Sequence, residues 1–183
     1  HGQFIASDNQ APAMTVAEAL ENPRRDTSRI VLPPASYAHE IEKVNKRMPA
    51  AKAFVLERGL NEVFGPKDGK VGIILQGGMY NAVIRALQRL GLADIHGDTE
   101  VPLYVLNVTY PLVDGEILDF CGGKDSVLVV EEGQPNYLEQ AIGAILYKAG
   151  TRVTLKGKDP LPTAGEYTGA IMLDGCRAFL SEF

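Results

Sequence analysis

From Lys70 to the C-terminus, short unbroken apolar runs alternate with stretches of helical periodicity. The run "KVGIIL" has strand length and no polar interruption. It leads into "GGMYNAVIRALQRLG", where Val83, Ala86, Leu87 and Leu90 share one helical face and Gly91 stands where a helix-ending glycine belongs. "PLYVLNV" predicts a second strand, followed by a helix over Asp114–Cys121. "SVLVVE" predicts a third strand, and a helix carrying Leu138, Ala141, Ile142, Ile145 and Leu146 closes at Gly150. "RVTLKG" is a fourth strand; after the turn-rich "KDPLPTAGEYT", a last helix carries Met172, Cys176, Phe179 and Leu180. Strands apolar throughout, rather than at alternate positions, are buried on both faces. Repeated β–α units then predict a three-layer α/β/α open, mostly parallel sheet over residues 69–183.

The chain before Lys70 is less regular. Residues 1–35 contain Pro12, Pro23, Pro33 and Pro34 and read as an extended lead-in, with a short helix at "MTVAEALEN" whose Thr15 and Glu18 fit a capping box. Over Ser36–Gly59, Tyr37, Ile41, Val44 and Met48 form a helical stripe, broken at Pro49 and resumed at Phe54 and Val55. Residues 36–68 therefore predict a helical connector, with Glu57–Gly69 as a loop into the sheet domain. No internal repeat or low-complexity tract is present.

Composition narrows the function classes. The 183 residues suit one α/β domain with an appendage, or at most two small domains, and 45% hydrophobic against 22% charged residues is ordinary for a globular chain. A net charge of −5, with Arg24, Arg25 and Arg29 the best basic cluster, argues against a nucleic-acid surface. No apolar run approaches the ~20 residues of a membrane-spanning helix, and the start lacks the basic and apolar regions of a signal peptide, so a cytoplasmic location is expected. Beginning at His1 rather than Met, the chain is expected to be a fragment or a processed product. Two cysteines, Cys121 and Cys176, with no C-x-x-C spacing, provide neither a disulfide framework nor a zinc or iron–sulfur signature.

Three stretches carry candidate chemistry. Gly77 and Gly78 follow the first parallel strand, where backbone N–H groups can be aimed at an anion; G-x-G-x-x-G and GK[ST] are both absent, which favours the reading that the pair only makes a tight turn. Pro111 stops a ladder and pushes Tyr110 into extended backbone, fixing the phenol at the carboxyl edge of the sheet, where packing over the strand ends is the favoured reading and a ligand contact the other. Glu131 and Glu132 end a buried strand in "VLVVEEGQP". Neighbours in a strand point to opposite faces, so the two carboxylates are not placed to share a proton as a glycosidase pair does. Gly133 allows a sharp exit and Pro135 fits the first turn of the next helix. The carboxyl edge of a parallel sheet is where open α/β folds bind ligands or partners, and a glutamate there can also brace a loop by accepting amide hydrogen bonds. Both readings stay open on these residues. His39 and His96 lack metal-ligand spacing, and no Ser-His-Asp or Cys-His arrangement can be argued.

The stretches "TYPL" (109–112), "VLVVEEGQPNYLEQAI" (127–142) and "GKDPLPTAGEYT" (157–168) together resemble the transketolase C-terminal-like domain of indolepyruvate:ferredoxin oxidoreductases, α-type region. "RRDTSRIVLPPASYAHEIEKVNKR" resembles the connector that precedes that domain, so the likeness covers roughly 24–183. The order of TYP and VVEEG, about twenty residues apart, is its most specific feature, and "LVDGEILDFCGGKDSVLVVEEG" looks most like bacterial enzymes with α and β regions fused. The resemblance implies oxidative decarboxylation of indolepyruvate and other aryl pyruvates. Coenzyme A is the implied acyl acceptor, thiamine pyrophosphate with Mg²⁺ the implied carbon catalyst, and ferredoxin the implied electron acceptor through 4Fe-4S clusters.

The family's GDG…NN thiamine signature and clustered cysteines are absent from this sequence. The resemblance therefore implies a structural and docking domain, inactive by itself, with no catalytic, cofactor-binding or metal-binding residue to carry over. Residues 1–35 would include the tail of a preceding pyrimidine-binding domain. Gly77, Gly78, Tyr110, Pro111, Glu131 and Glu132 are the candidate edge toward neighbouring domains, a homodimer mate or a ligand. Two alternatives are a domain of another thiamine-dependent 2-oxoacid enzyme and a stand-alone small-molecule-binding α/β module.

Overall fold

A computed structural model of the chain describes residues 16–21 and 32–183. The expected Thr15 cap, Pro12 and Pro23, and the cluster Arg24, Arg25 and Arg29 lie outside the described residues. The chain divides into two compact units, His1–Arg47 and Met48–Phe183. In the first, α1 covers Val16–Glu21 and α2 covers Ala35–Glu42, continued by a wide π-type turn over Lys43–Arg47. The stripe residues Tyr37, Ile41 and Val44 are exposed there.

The second unit opens with α3 (Met48–Arg58), whose second residue is Pro49. A short strand, β1 (Glu62–Phe64), then appears within a segment expected to be loop. Three residues at a sheet edge are too short to show an apolar rhythm, and β1 runs antiparallel to its neighbour. The parallel strands are β2 (Val71–Gln76), β3 (Leu103–Leu106), β4 (Ser126–Val130) and β5 (Thr154–Lys156). The order across the sheet is β1-β3-β2-β4-β5.

Helices cover both faces. Ile73, Leu75, Leu103, Val105, Leu128 and Val130 pack with α4 (Tyr80–Arg89) and α7 (Gly169–Leu180). The alternate positions Ile74, Tyr104, Leu106, Val127 and Val129 pack with α5 (Asp114–Cys121) and α6 (Tyr137–Ala149). This alternation, with both sets buried, is why β2–β4 read as continuous apolar runs. Met172, Cys176 and Phe179 supply the α7 side and Leu138, Ile142 and Leu146 the α6 side. Gly91 and Gly150 end α4 and α6 with φ of 75° and 68°, left-handed values that a glycine adopts without Cβ strain. The chain leaves β2 for β3 on one side and later returns to β4 on the other. The strand order reverses at β2 and β4, and their carboxyl ends flank the crevice where such sheets offer a site.

Candidate functional site at the carboxyl edge

The carboxyl ends of β2, β3 and β4 lead into three loops that meet over α6. Gly77 and Gly78 form a single tight 3₁₀ turn with Met79 before α4. A Cβ on Gly77 would lie 2.5 Å from Asn107 Oδ1, so this glycine lets the β2 exit pass close to the β3 exit, whereas Gly78 faces open space. After β3 ends at Leu106, the chain runs through Thr109 to Tyr110, whose bond to Pro111 is cis. The Tyr110 side chain is 71% exposed.

The two glutamates diverge, as strand geometry requires. Glu131 is 6% exposed and turns toward α6. Its carboxylate accepts from the Leu138 N–H at 3.0 and 2.9 Å and from the Glu139 N–H at 3.3 Å. Those amides are the unpaired donors of the first turn of α6, and a carboxylate there also meets the positive end of the helix dipole. Glu132 turns the other way. Its N–H donates to Gln76 Oε1 at 3.1 Å, and its own Oε1 accepts from the Tyr167 N–H at 2.5 Å. Pro135, expected in the first turn of α6, instead precedes the helix: Asn136 is the N-cap, and the Gln134–Pro135 bond is cis. The capping oxygens come from Glu131, seven residues before Leu138, and no side chain of Asn136 caps the helix.

A second layer of contacts ties the "GKDPLPTAGEYT" segment to the same edge. Lys158 Nζ donates to the Glu131 carbonyl and, at 2.8 Å, to the Tyr167 hydroxyl, which donates to the Pro162 carbonyl at 2.7 Å. Gln134 Nε2 donates to the Thr163 carbonyl. The sequence does not single out Lys158 and Tyr167 as edge residues; their signal is their place in "GKDPLPTAGEYT", a turn-rich stretch that is also part of the family likeness.

What the braces leave open is a groove of about 480 Å³ between the β3 exit and α6, lined by Gln76, Thr109, Tyr110, Glu131, Tyr137 and Ala141 among others. Tyr110 also borders an adjoining groove of about 520 Å³, whose walls include Pro111, Lys52 and Lys148. The structure thus brings Tyr110 and Glu131 to one groove and Tyr110 and Pro111 to the other. Gly77, Gly78 and Glu132 line neither. Tyr137 is 67% exposed, so the groove mouth carries two exposed phenols.

Among the described residues no group of three His, Cys, Asp or Glu side chains lies together as a metal donor set. Cys121 and Cys176 are buried on opposite faces of the sheet, and burial pushes their thiols up to about 11 and about 12. They are placed neither to share a cluster nor to act as thiolates near neutral pH. No described helix is long and apolar enough to cross a membrane.

Residues 61–172 match the family described as the indolepyruvate oxidoreductase domain. The chain is 34% identical over 152 residues to indolepyruvate oxidoreductase subunit IorA of Methanothermobacter thermautotrophicus, an alignment covering 81% of this chain and 23% of that protein. The same-named subunit of Methanothermobacter marburgensis is 36% identical over 134 residues, covering 72% of this chain and 20% of the relative. That of Thermococcus kodakarensis is 33% identical over 120 residues, covering 66% and 18%. The chain therefore spans about a fifth to a quarter of the length of the curated relatives it matches.

Proposed function

This chain belongs to the indolepyruvate oxidoreductase domain family, and from that premise we propose that it is a structural and docking domain of a 2-oxoacid:ferredoxin oxidoreductase acting on indolepyruvate and other aryl pyruvates. In this reading the whole enzyme uses coenzyme A as acyl acceptor and passes electrons through 4Fe-4S clusters to ferredoxin. Thiamine pyrophosphate with Mg²⁺ supplies the carbanion stabilisation that such a decarboxylation requires. The described residues of this chain do not fit those groups as ligands, since their cysteines are separated by the sheet and their carboxylates are not clustered. The chain's own part is to hold a rigid edge against a neighbouring domain or a homodimer mate.

The observation that carries this reading is the division of labour at the carboxyl edge. Glu131 and Glu132 spend their acceptor oxygens on the amides of Leu138, Glu139 and Tyr167. Tyr110 and Tyr137 stand exposed beside a groove. Exposed aromatics on a braced scaffold are the usual anchors of a protein interface. In the intact subunit, Tyr110→Asp is expected to weaken assembly, read by sedimentation, and to lower aryl-pyruvate-dependent dye reduction in proportion. Unchanged assembly together with unchanged turnover would refute the docking role.

A further inference from the structure

On the flank of β3, away from the carboxyl edge, a pocket of about 340 Å³ is walled by Pro66 and Pro102 and floored by the rings of Tyr104 and Phe120. Lys67, Pro102 and Lys124 enter it from the loops before β2, β3 and β4, so it opens at the amino edge of the sheet. Lys124 is 4% exposed. Its ammonium has three N–H donors but makes one hydrogen bond, a long one to the Lys67 carbonyl at 3.3 Å, and otherwise sits 4.9 Å from the centroid of the Phe120 ring. Among the described residues no carboxylate lies within ion-pair distance of it. A buried cation normally has an anionic partner.

The site is built rather than incidental. Gly72, in the central strand β2, leaves the space the lysine needs: a Cβ there would lie 2.9 Å from Lys124 Cε and 2.9 Å from Phe120 Cζ. The carboxylates nearby are already engaged or more exposed: Asp68 acts on the Lys124 charge only through space, from an exposed position beyond ion-pair distance. Glu116 Oε2 accepts from the Tyr104 hydroxyl at 2.7 Å and from Asn61 Nδ2 at 2.9 Å, which fixes that end of the pocket. Asp119 lies on the rim of the same helix. Pockets of this size with apolar walls and few placed polar groups are those that hold small molecules.

We propose that this pocket binds a small organic anion, its charged oxygens on Lys124 and its flat apolar body between Phe120, Tyr104 and the two prolines. The inference is independent of the docking role. Either a carboxylate or a phosphate monoester has the required chemistry. Titration calorimetry on the full chain with benzoate, phenyl phosphate and the charge-reversed benzylamine tests it. At least one anion is expected to bind, to weaken about tenfold or more in Lys124→Met, and to bind Tyr110→Ala undiminished; the tighter of the two identifies the source. No binding of either anion at about 10 mM, equal binding by Lys124→Met, or equal binding of benzylamine would overturn the proposal. Should Lys124→Met fail to fold, aromatic shift mapping on the wild-type chain with the same anions decides: shifts at Phe120 and Tyr104 support the site, and shifts confined to other residues refute it.

Discussion

The carboxyl edge and the amino-edge pocket use charge in opposite ways. At the carboxyl edge two adjacent glutamates look like chemistry and are structural: one caps α6, the other holds the loop at Tyr167. At the amino edge Lys124 has no distinguishing neighbour in the sequence, yet among the described residues it is a buried ammonium with no carboxylate within ion-pair distance. Residue type told little about which group is available for a ligand. What decided it was whether backbone amides lay within reach, and a helix N-terminus offers several at once.

The largest effect that would break this comparison is expected at Glu131. Glu131→Ala removes the acceptor of the two amides of Leu138 and Glu139 at the start of α6 and should destabilise the chain by about 2–3 kcal/mol, with Glu131→Gln recovering part of the loss. Urea melts of the isolated chain would measure it; a change within error would mean that water replaces the carboxylate and that Glu131 is free for other work. Gly72→Ala comes next, at about 1–3 kcal/mol, because its Cβ must displace Lys124 and Phe120 in a packed layer. Glu132→Ala should cost about 1 kcal/mol, since the Tyr167 amide it serves is only partly buried. Lys124→Met should change stability least, or raise it slightly, because it removes an unpaired charge while keeping the apolar stem. If Lys124→Met costs more than Glu131→Ala, the contrast between the two edges is wrong.

The cysteines add a pH test. Their folded pKa values are raised from 9.0 to about 11 for Cys121 and about 12 for Cys176. Above pH 9 the unfolded chain loses thiol protons that the folded chain keeps, so stability falls as pH rises from 9 toward those values. Stability curves at pH 8 and pH 10 should show the decline, and a Cys121→Ala, Cys176→Ala chain should show a shallower one.

Much of the architecture was legible in the sequence. The strands β2, β3 and β4 were marked by unbroken apolar runs, α5 was placed at its observed bounds, and Gly91 and Gly150 marked helix ends, because burial on both faces and glycine's freedom at positive φ act locally. β1 was not legible: it is three residues long, and its strand character comes from pairing with β3. At the candidate edge, the divergence of Glu131 and Glu132 followed from strand geometry, but their partners did not. Leu138 is seven residues from Glu131 and Tyr167 is thirty-five from Glu132, and only the folded loops bring them together. The Lys124 pocket was hidden for the same reason, since its parts enter from separate loops and from Gly72 inside a strand.

The docking role is tested most directly by comparing amide hydrogen exchange of the isolated chain with that of the same sequence in the intact subunit. The account predicts added protection over residues 107–112 and at Tyr137, the stretches that carry the exposed Tyr110 and Tyr137 side chains, and none at the already braced amides of Leu138, Glu139 and Tyr167 beyond their protection in the isolated chain. Exchange at 107–112 and at Tyr137 that is the same in both would contradict it.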